Sequence, residues 1–137
     1  TLDADVLLPI DWYLHLIEML QREPADLWLF PVLINDPSTP LQRFEALDVL
    51  SLAGTTAAFA HQHHAIMGSG ACLVVRTEVY REAVKHLRDD LVSGDDVFLV
   101  QHLRKEKRRI RFIDHPELQV RVEGHSSLRG FLRQRVR

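Results

Sequence analysis

Ser93-Gly94-Asp95-Asp96-Val97-Phe98-Leu99 sets two adjacent carboxylates at the start of an amphipathic pattern that continues through Val100 and Leu103. A serine followed three residues later by an acid is the capping-box pattern, in which Ser93 accepts a backbone N–H and Asp96 sits at the positive end of the helix dipole. Many helices open this way for structural reasons alone. The pair gains chemical interest from two other polar clusters, Asp3-Ala4-Asp5 near the start of the chain and Gln134-Arg135-Val136-Arg137 at its end.

Working outward, Thr77 is placed to cap a helix through Leu87, with Val79, Ala83, Val84 and Leu87 on its buried side. Before it, Met67-Gly68-Ser69-Gly70-Ala71-Cys72-Leu73-Val74-Val75-Arg76 reads as a tight glycine turn entering a strand. Its glycines permit close backbone approach by a ligand. No G-K-[ST] follows, so a nucleoside-triphosphate loop is not supported. After the acid pair comes the basic run Lys105-Glu106-Lys107-Arg108-Arg109. Two short strands are then expected, over 110–113 and 118–122, around the Asp114-His115-Pro116 turn. Ser126 or Ser127 caps a last helix with Leu128, Phe131 and Leu132 on one side and its arginines largely elsewhere.

In the first half, Thr1 to Val6 looks like the C-terminal end of a buried strand opening into a loop, the place where open α/β sheets put their ligands. Two acids at i and i+2 converge on one hard cation if the backbone turns between them. Asp11 caps a helix carrying Tyr13, Leu16, Ile17 and Leu20 at helical period and ending near Pro24. Leu27 to Ile34 is an almost unbroken apolar run of strand length, with Pro31 marking a bulge or an edge. After the 35–40 loop, a long helix over 41–60 is expected to bury Phe44, Leu47, Leu50 and its alanines, with Glu45 and Asp48 away from that face. His61-Gln62-His63-His64 reads as the solvated end of this helix, where imidazolium complements the dipole, in preference to a metal site.

The chain has 137 residues, 46% hydrophobic and 26% charged, an ordinary composition for one globular α/β domain. A lone Cys72 excludes an internal disulfide and fits a reducing compartment. No stretch approaches the roughly 20 apolar residues that span a bilayer, and none resembles a signal peptide. The net charge of −2 hides an asymmetry: residues 1–103 carry 6 basic and 15 acidic side chains, residues 104–137 carry 11 and 4. The arginine-rich end should therefore face an anionic group such as a diphosphate, a lipid headgroup or nucleic acid.

An acid pair at a strand end, a second acid pair opening a helix and a terminal Gln-x-x-Arg together suit transfer of an activated sugar. A metal on the first pair polarises a diphosphate, a free carboxylate takes a proton from the attacking hydroxyl, and arginine stabilises the departing charge. The chain resembles the family 2 glycosyltransferases, inverting enzymes of the GT-A fold. Four elements carry the resemblance: Asp3-Ala4-Asp5 as the D-x-D, Gly70 to Arg76 as the small-residue turn and strand, Asp95-Asp96 with Phe98-Leu99 as the E-D-x-x-L stretch, and Gln134-x-x-Arg137 as most of Q-x-x-R-W.

The resemblance implies a mixed sheet flanked by helices, the C-terminal half of a GT-A fold, in a single partial catalytic domain over 1–137. It implies that Asp5, with Asp3, holds Mg or Mn on the donor diphosphate, that Asp96 is the base, and that Asp95, Gln134 and Arg137 contact the acceptor. The expected partners are a nucleotide-sugar donor, a saccharide or lipid-linked acceptor and the cytoplasmic face of a membrane. Asp95 departs from the family's glutamate, and its tryptophan is absent after Arg137. The resemblance implies that the nucleotide-binding half lies upstream of Thr1, and the first apolar residues run straight into Asp3, as expected if the strand leading into that acid has been cut off. On that expectation the isolated chain is inactive, Asp3 frays near a chain end, and apolar surface around Leu27–Ile34 lies uncovered and favours self-association.

Two rival readings stand beside this one. In a haloacid-dehalogenase-like phosphatase, Asp3 would be the nucleophile and Lys85 the required lysine, but the further acid expected after Gly94-Asp95-Asp96 is missing, with Phe98, Leu99 and Val100 there instead. In a nucleic-acid-binding module, aromatic side chains should accompany the arginines, and a sequence pI near 6.4 argues against it.

Overall fold

Strand 27–35 breaks at Phe30-Pro31, and the break divides the sheet. The computed structural model describes residues 1–86 and 94–135. Its elements run α1 (Trp12–Arg22), β1 (Leu27–Leu29), β2 (Val32–Asn35), α2 (Pro40–His61), β3 (Leu73–Val75), α3 (Thr77–Ala83), α4 (Asp95–Lys105), β4 (Ile110–Phe112), β5 (Val120–Glu123) and α5 (Leu128–Arg135), with single 3-10 turns at Val84–His86 and Pro116–Leu118. β1 pairs antiparallel with β3 and parallel with β4, whereas β2 pairs parallel with β5. The chain is thus mixed α/β, with a small mixed sheet and a parallel strand pair flanked by helices. The apolar run expected as one strand forms two, because Pro31 cannot donate a ladder hydrogen bond. The strands expected at 110–113 and 118–122 pair with β1 and β2, and not with each other.

Both faces of β1 are covered, which explains its unbroken apolar sequence. Trp28 points to a cluster with Trp12, Leu16 and Met19 of α1, Phe30, Ile113 and Leu118. Leu27 and Leu29 point the other way, onto Leu73, Val79 and Leu99, Val100 and Leu103 of α4. Around Leu27–Ile34, Leu27 is fully buried and Ile34 is 6% exposed, so the uncovered surface expected there is absent. Glu23 pins the first cluster's rim: its carboxylate accepts from Arg111 at 2.8 Å and meets His115 at 3.1 Å, while its carbonyl accepts the Trp28 indole N–H at 2.7 Å. Partial burial raises the Glu23 carboxyl, but these hydrogen bonds and the Arg111 charge outweigh it and hold the group below its ordinary value.

Several helix faces differ from those expected from periodicity. α1 buries Trp12, Leu16 and Met19, leaving Tyr13 exposed, and Asp11 stands at its N-cap without a side-chain cap bond. α2 opens on a capping box, with Thr39 Oγ1 accepting the Gln42 N–H and Gln42 Oε1 accepting the Thr39 N–H. It turns Glu45, Thr56 and Ala60 inward and leaves Phe44, Leu47 and Leu50 exposed, the reverse of the expected face. The helix is apolar nearly all round, so its own periodicity is a weak guide and docking on β2 decides. The N-cap of α3 is Arg76, with no side-chain cap bond, and Thr77, expected as the cap, is the first helical residue; Val84 is exposed, and Leu87 lies outside the described residues. On α5 only Phe131 is buried, and Leu128 and Leu132 are exposed.

Candidate functional site

Asp3-Ala4-Asp5 is a turn held at both ends. On one side Leu2 bridges Cys72 beside β3, and the Asp3 amide donates to the Ala71 carbonyl at 3.1 Å. On the other, Leu7 and Arg121 of β5 exchange backbone hydrogen bonds of 2.7 and 3.1 Å. The turn therefore does not hang from one anchor near a chain end, as expected from the sequence; it spans the two sheets. Cys72, fully buried beneath it, has its thiol pushed up to about 12 by burial.

The second acid pair is placed by α4. Gly94, at φ 92°, takes the N-cap position in the left-handed region that glycine favours. Asp96 then sends its carboxylate across to the glycine turn: Oδ2 accepts the Gly70 N–H at 2.7 Å and Oδ1 accepts the Val97 N–H at 2.8 Å. Gly94 thus stands at the N-cap position expected for Ser93, which lies outside the described residues, and Asp96 sits in the first turn at the positive end of the helix dipole. A carboxylate offers about four lone-pair sites, and these two bonds among the described residues orient this one. Asp95, next to it, is exposed and does not border the cavity described below.

Asp3, Asp5, Asp96 and Gln134 all border one cavity of about 480 Å³. Its floor comes from β1, β2 and β5, including Leu29, Val32 and Val122, and α5 brings in Gln134 and Arg135. Three of the four separated motifs thus supply side chains to one hollow, and Ala71 of the glycine turn borders it too. Arg137 lies outside the described residues, whereas Arg135 pairs with Asp48 and stacks on Phe131 at 5.1 Å.

Sequence reading missed the pair that closes this wall. Glu45, 4% exposed, takes both the backbone N–H of His125 at 2.9 Å and its ring Nδ1 at 2.7 Å. A signal existed: Glu45 shares the i, i+4, i+7, i+11 row with Val49, Leu52 and Thr56, the side that lies on the cavity. Lys85 lines a separate hollow beside the stacked rings of His86 and His102, whose centroids are 5.4 Å apart. His61 ends α2, and the chain reverses at His63 with φ 60°.

The donor set at Asp3 and Asp5 fits Mg or Mn. Such ions are held by one or two carboxylates with substrate phosphates and water completing the shell. Two carboxylates on one turn, bordering a hollow large enough for a ligand, meet that requirement. Among the described residues no three His, Cys, Asp or Glu side chains converge to form a metal cage from protein alone.

No family model matches the chain, and no curated protein matches it.

Proposed function

We propose that the chain is the acceptor-side part of an inverting, metal-assisted glycosyltransferase of the family 2, GT-A type, which moves a sugar from a nucleotide-diphosphate donor to an acceptor hydroxyl. The observation that carries this reading is the convergence of Asp3, Asp5, Asp96 and Gln134 on one cavity from three separate parts of the sequence.

In this reading a divalent ion on Asp3 and Asp5 supplies charge neutralisation to the donor diphosphate. The remaining work belongs to the chain. Asp96, fixed by the Gly70 and Val97 amides, accepts the proton of the acceptor hydroxyl, as a positioned base does. Inversion follows if that hydroxyl attacks the face of the sugar opposite the leaving diphosphate. Gln134 hydrogen-bonds a sugar from α5, and Arg137 is assigned to the acceptor by the motif alone. Asp95, exposed and off the cavity, has no contact role here. The phosphatase reading loses its lysine, because Lys85 borders a different hollow.

The test is product analysis with the full-length protein. Given Mg or Mn, a nucleotide-sugar and an acceptor, it should release nucleoside diphosphate and form a glycoside of opposite anomeric configuration. A retained configuration, or release of inorganic phosphate through a phosphoaspartyl enzyme, would overturn the proposal.

A further inference from the structure

α2 and α4 end in the same way. Past His61 the N–H groups of His63 and His64 donate back to the carbonyls of Ala60 and Phe59 at 3.0 and 2.8 Å, and past Lys105 those of Lys107 and Arg108 donate back to Arg104 and Leu103 at 3.0 and 2.9 Å. This paired closure puts one residue of each turn in the left-handed region, where glycine is the usual occupant because it has no Cβ to clash. Here the two residues are His63, at φ 60°, and Lys107, at φ 55°. The negative ends of the helix dipoles favour basic residues in the last turns. They do not explain basic side chains at the two positions that glycine fits better, in turns that backbone bonds already close.

Both strained positions border one hollow of about 410 Å³, together with Arg104, Arg108 and Arg109. The rest of its wall is alanine and isoleucine, so among the described residues no acid lines it. Arg108 gives part of its guanidinium to Glu82 at 3.1 Å, beside a different hollow. Arg109 donates from its guanidinium to the Pro24 carbonyl at 3.4 Å and from its backbone N–H to the Asp26 carboxylate at 2.8 Å. Among the described residues no carboxylate forms an ion pair with Arg104, Lys107 or the Arg109 guanidinium. Like charges gathered without counter-ions repel one another, and a bound anion relieves that repulsion.

We propose that this hollow binds a soluble diphosphate group through the protein's own cations, without a metal ion. A single phosphate group carries at most about two negative charges at neutral pH and leaves cations over, whereas two linked phosphates match Arg104, Lys107, Arg109 and the shared Arg108. Guanidinium groups present paired N–H donors to phosphate oxygens, and Lys107 adds a point charge. The volume leaves space for an organic group on the diphosphate. Among the described residues no Phe, Tyr or Trp borders the hollow, so it lacks the stacking surface that single-stranded nucleic acid uses. The hollow shares no lining residue with the cavity of Asp3 and Asp5, and the proposal does not rest on the transfer reading.

The experiment is calorimetric titration of the full-length protein with inorganic pyrophosphate in EDTA at low salt. One saturable site is expected, with inorganic phosphate weaker by about tenfold or more, the worth of one charged hydrogen bond. Arg104→Gln with Lys107→Gln should weaken pyrophosphate on the order of 100-fold, about a tenfold step for each lost contact, whereas Asp3→Asn with Asp5→Asn should leave it unchanged. Lys107→Gly separates binding from structure: it should raise the melting temperature, because glycine relieves the left-handed position, and still weaken pyrophosphate by about tenfold. Uridine diphosphate in EDTA identifies the source, since tighter binding than pyrophosphate assigns the group to a nucleotide and weaker binding assigns it to free diphosphate; both uphold the site. No saturable binding in EDTA, equal affinity for phosphate, full affinity in Lys107→Gly or in Arg104→Gln with Lys107→Gln, or loss of binding in Asp3→Asn with Asp5→Asn overturns the proposal. So does length-dependent binding of a single-stranded oligonucleotide that pyrophosphate does not displace.

Discussion

The Gly70 amide and the Asp96 carboxylate, 26 residues apart in sequence, meet at 2.7 Å. This one bond joins the glycine turn to the start of α4 and fixes the acid on the rim of the cavity that Asp3 and Asp5 share. A methyl group on Gly70 would come to 3.3 Å from Asp96 Oδ2, tighter than an ordinary contact, so the carboxylate must give. Gly70→Ala is therefore expected to lower turnover by up to roughly 10-fold, since the carboxylate has to move by a few tenths of an ångström and a full displacement of about 1 Å costs about 10²-fold, with little change in melting temperature. An unchanged kcat would show that this contact does not set the position of Asp96.

His125 and Glu45 should behave as a unit. Removing the imidazole leaves a buried carboxylate short of a partner, and a hydrogen bond to a charged group contributes about 1.5–3 kcal/mol. His125→Ala should destabilise the fold by that amount in urea unfolding. The double substitution with Glu45→Ala should cost less than the sum of the two singles, with a coupling of about 0.5–3 kcal/mol. Strict additivity would deny the contact.

How much of this was legible in the sequence depends on what each residue answers to. The helices and most strands could be read from periodicity, because Leu99, Val100 and Leu103, for example, recur at helical spacing on a helix with one wet side. Pro31 marked its position as unusual, yet nothing local says that Leu27–Leu29 and Val32–Asn35 enter different ladders; that depends on partners about 80 residues away. The α2 face misleads for a different reason. Phe44, Leu47 and Leu50 form an apolar row, yet the helix docks on β2 through the row of Glu45, Val49, Leu52 and Thr56, where Glu45 meets His125. Of the site, Asp3, Asp5, Asp96 and Gln134 stood out by residue type and order, whereas Asp95 shares the motif but turns away.

Glu23 predicts an acid-sensitive element. Its carboxyl is held below the ordinary 4.5 in the folded chain, so it binds fewer protons than in the unfolded chain. Its contribution is present above about pH 4.5 and is lost as pH falls through the lower folded value. The stability gap between wild type and Glu23→Gln should therefore be widest near neutrality and shrink as the pH falls below 4.5. A gap that widens on acidification would contradict the assigned role of Arg111 and His115.

Cys72 should be inert in the folded protein. With its thiol raised to about 12 and its side chain fully buried, almost no thiolate is present at mildly alkaline pH. Iodoacetamide at about pH 8 should leave the native chain unmodified and label it once after denaturation, as read by intact mass. Rapid labelling without denaturant would mean that the Leu2–Cys72 anchor opens readily, and with it the support of Asp3.

The central claim is that Asp96 serves as a base in a sugar-transfer site built with Asp3 and Asp5, and its most direct measurement is the turnover of full-length Asp96→Asn with a nucleotide-sugar, Mg or Mn and acceptor. The amide keeps the shape and can still accept one backbone hydrogen bond, but it cannot take the proton. The account predicts kcat lower by about 10² to 10⁴-fold, the usual worth of a positioned base, with donor binding by calorimetry within a few-fold of wild type. Wild-type turnover in Asp96→Asn would contradict it.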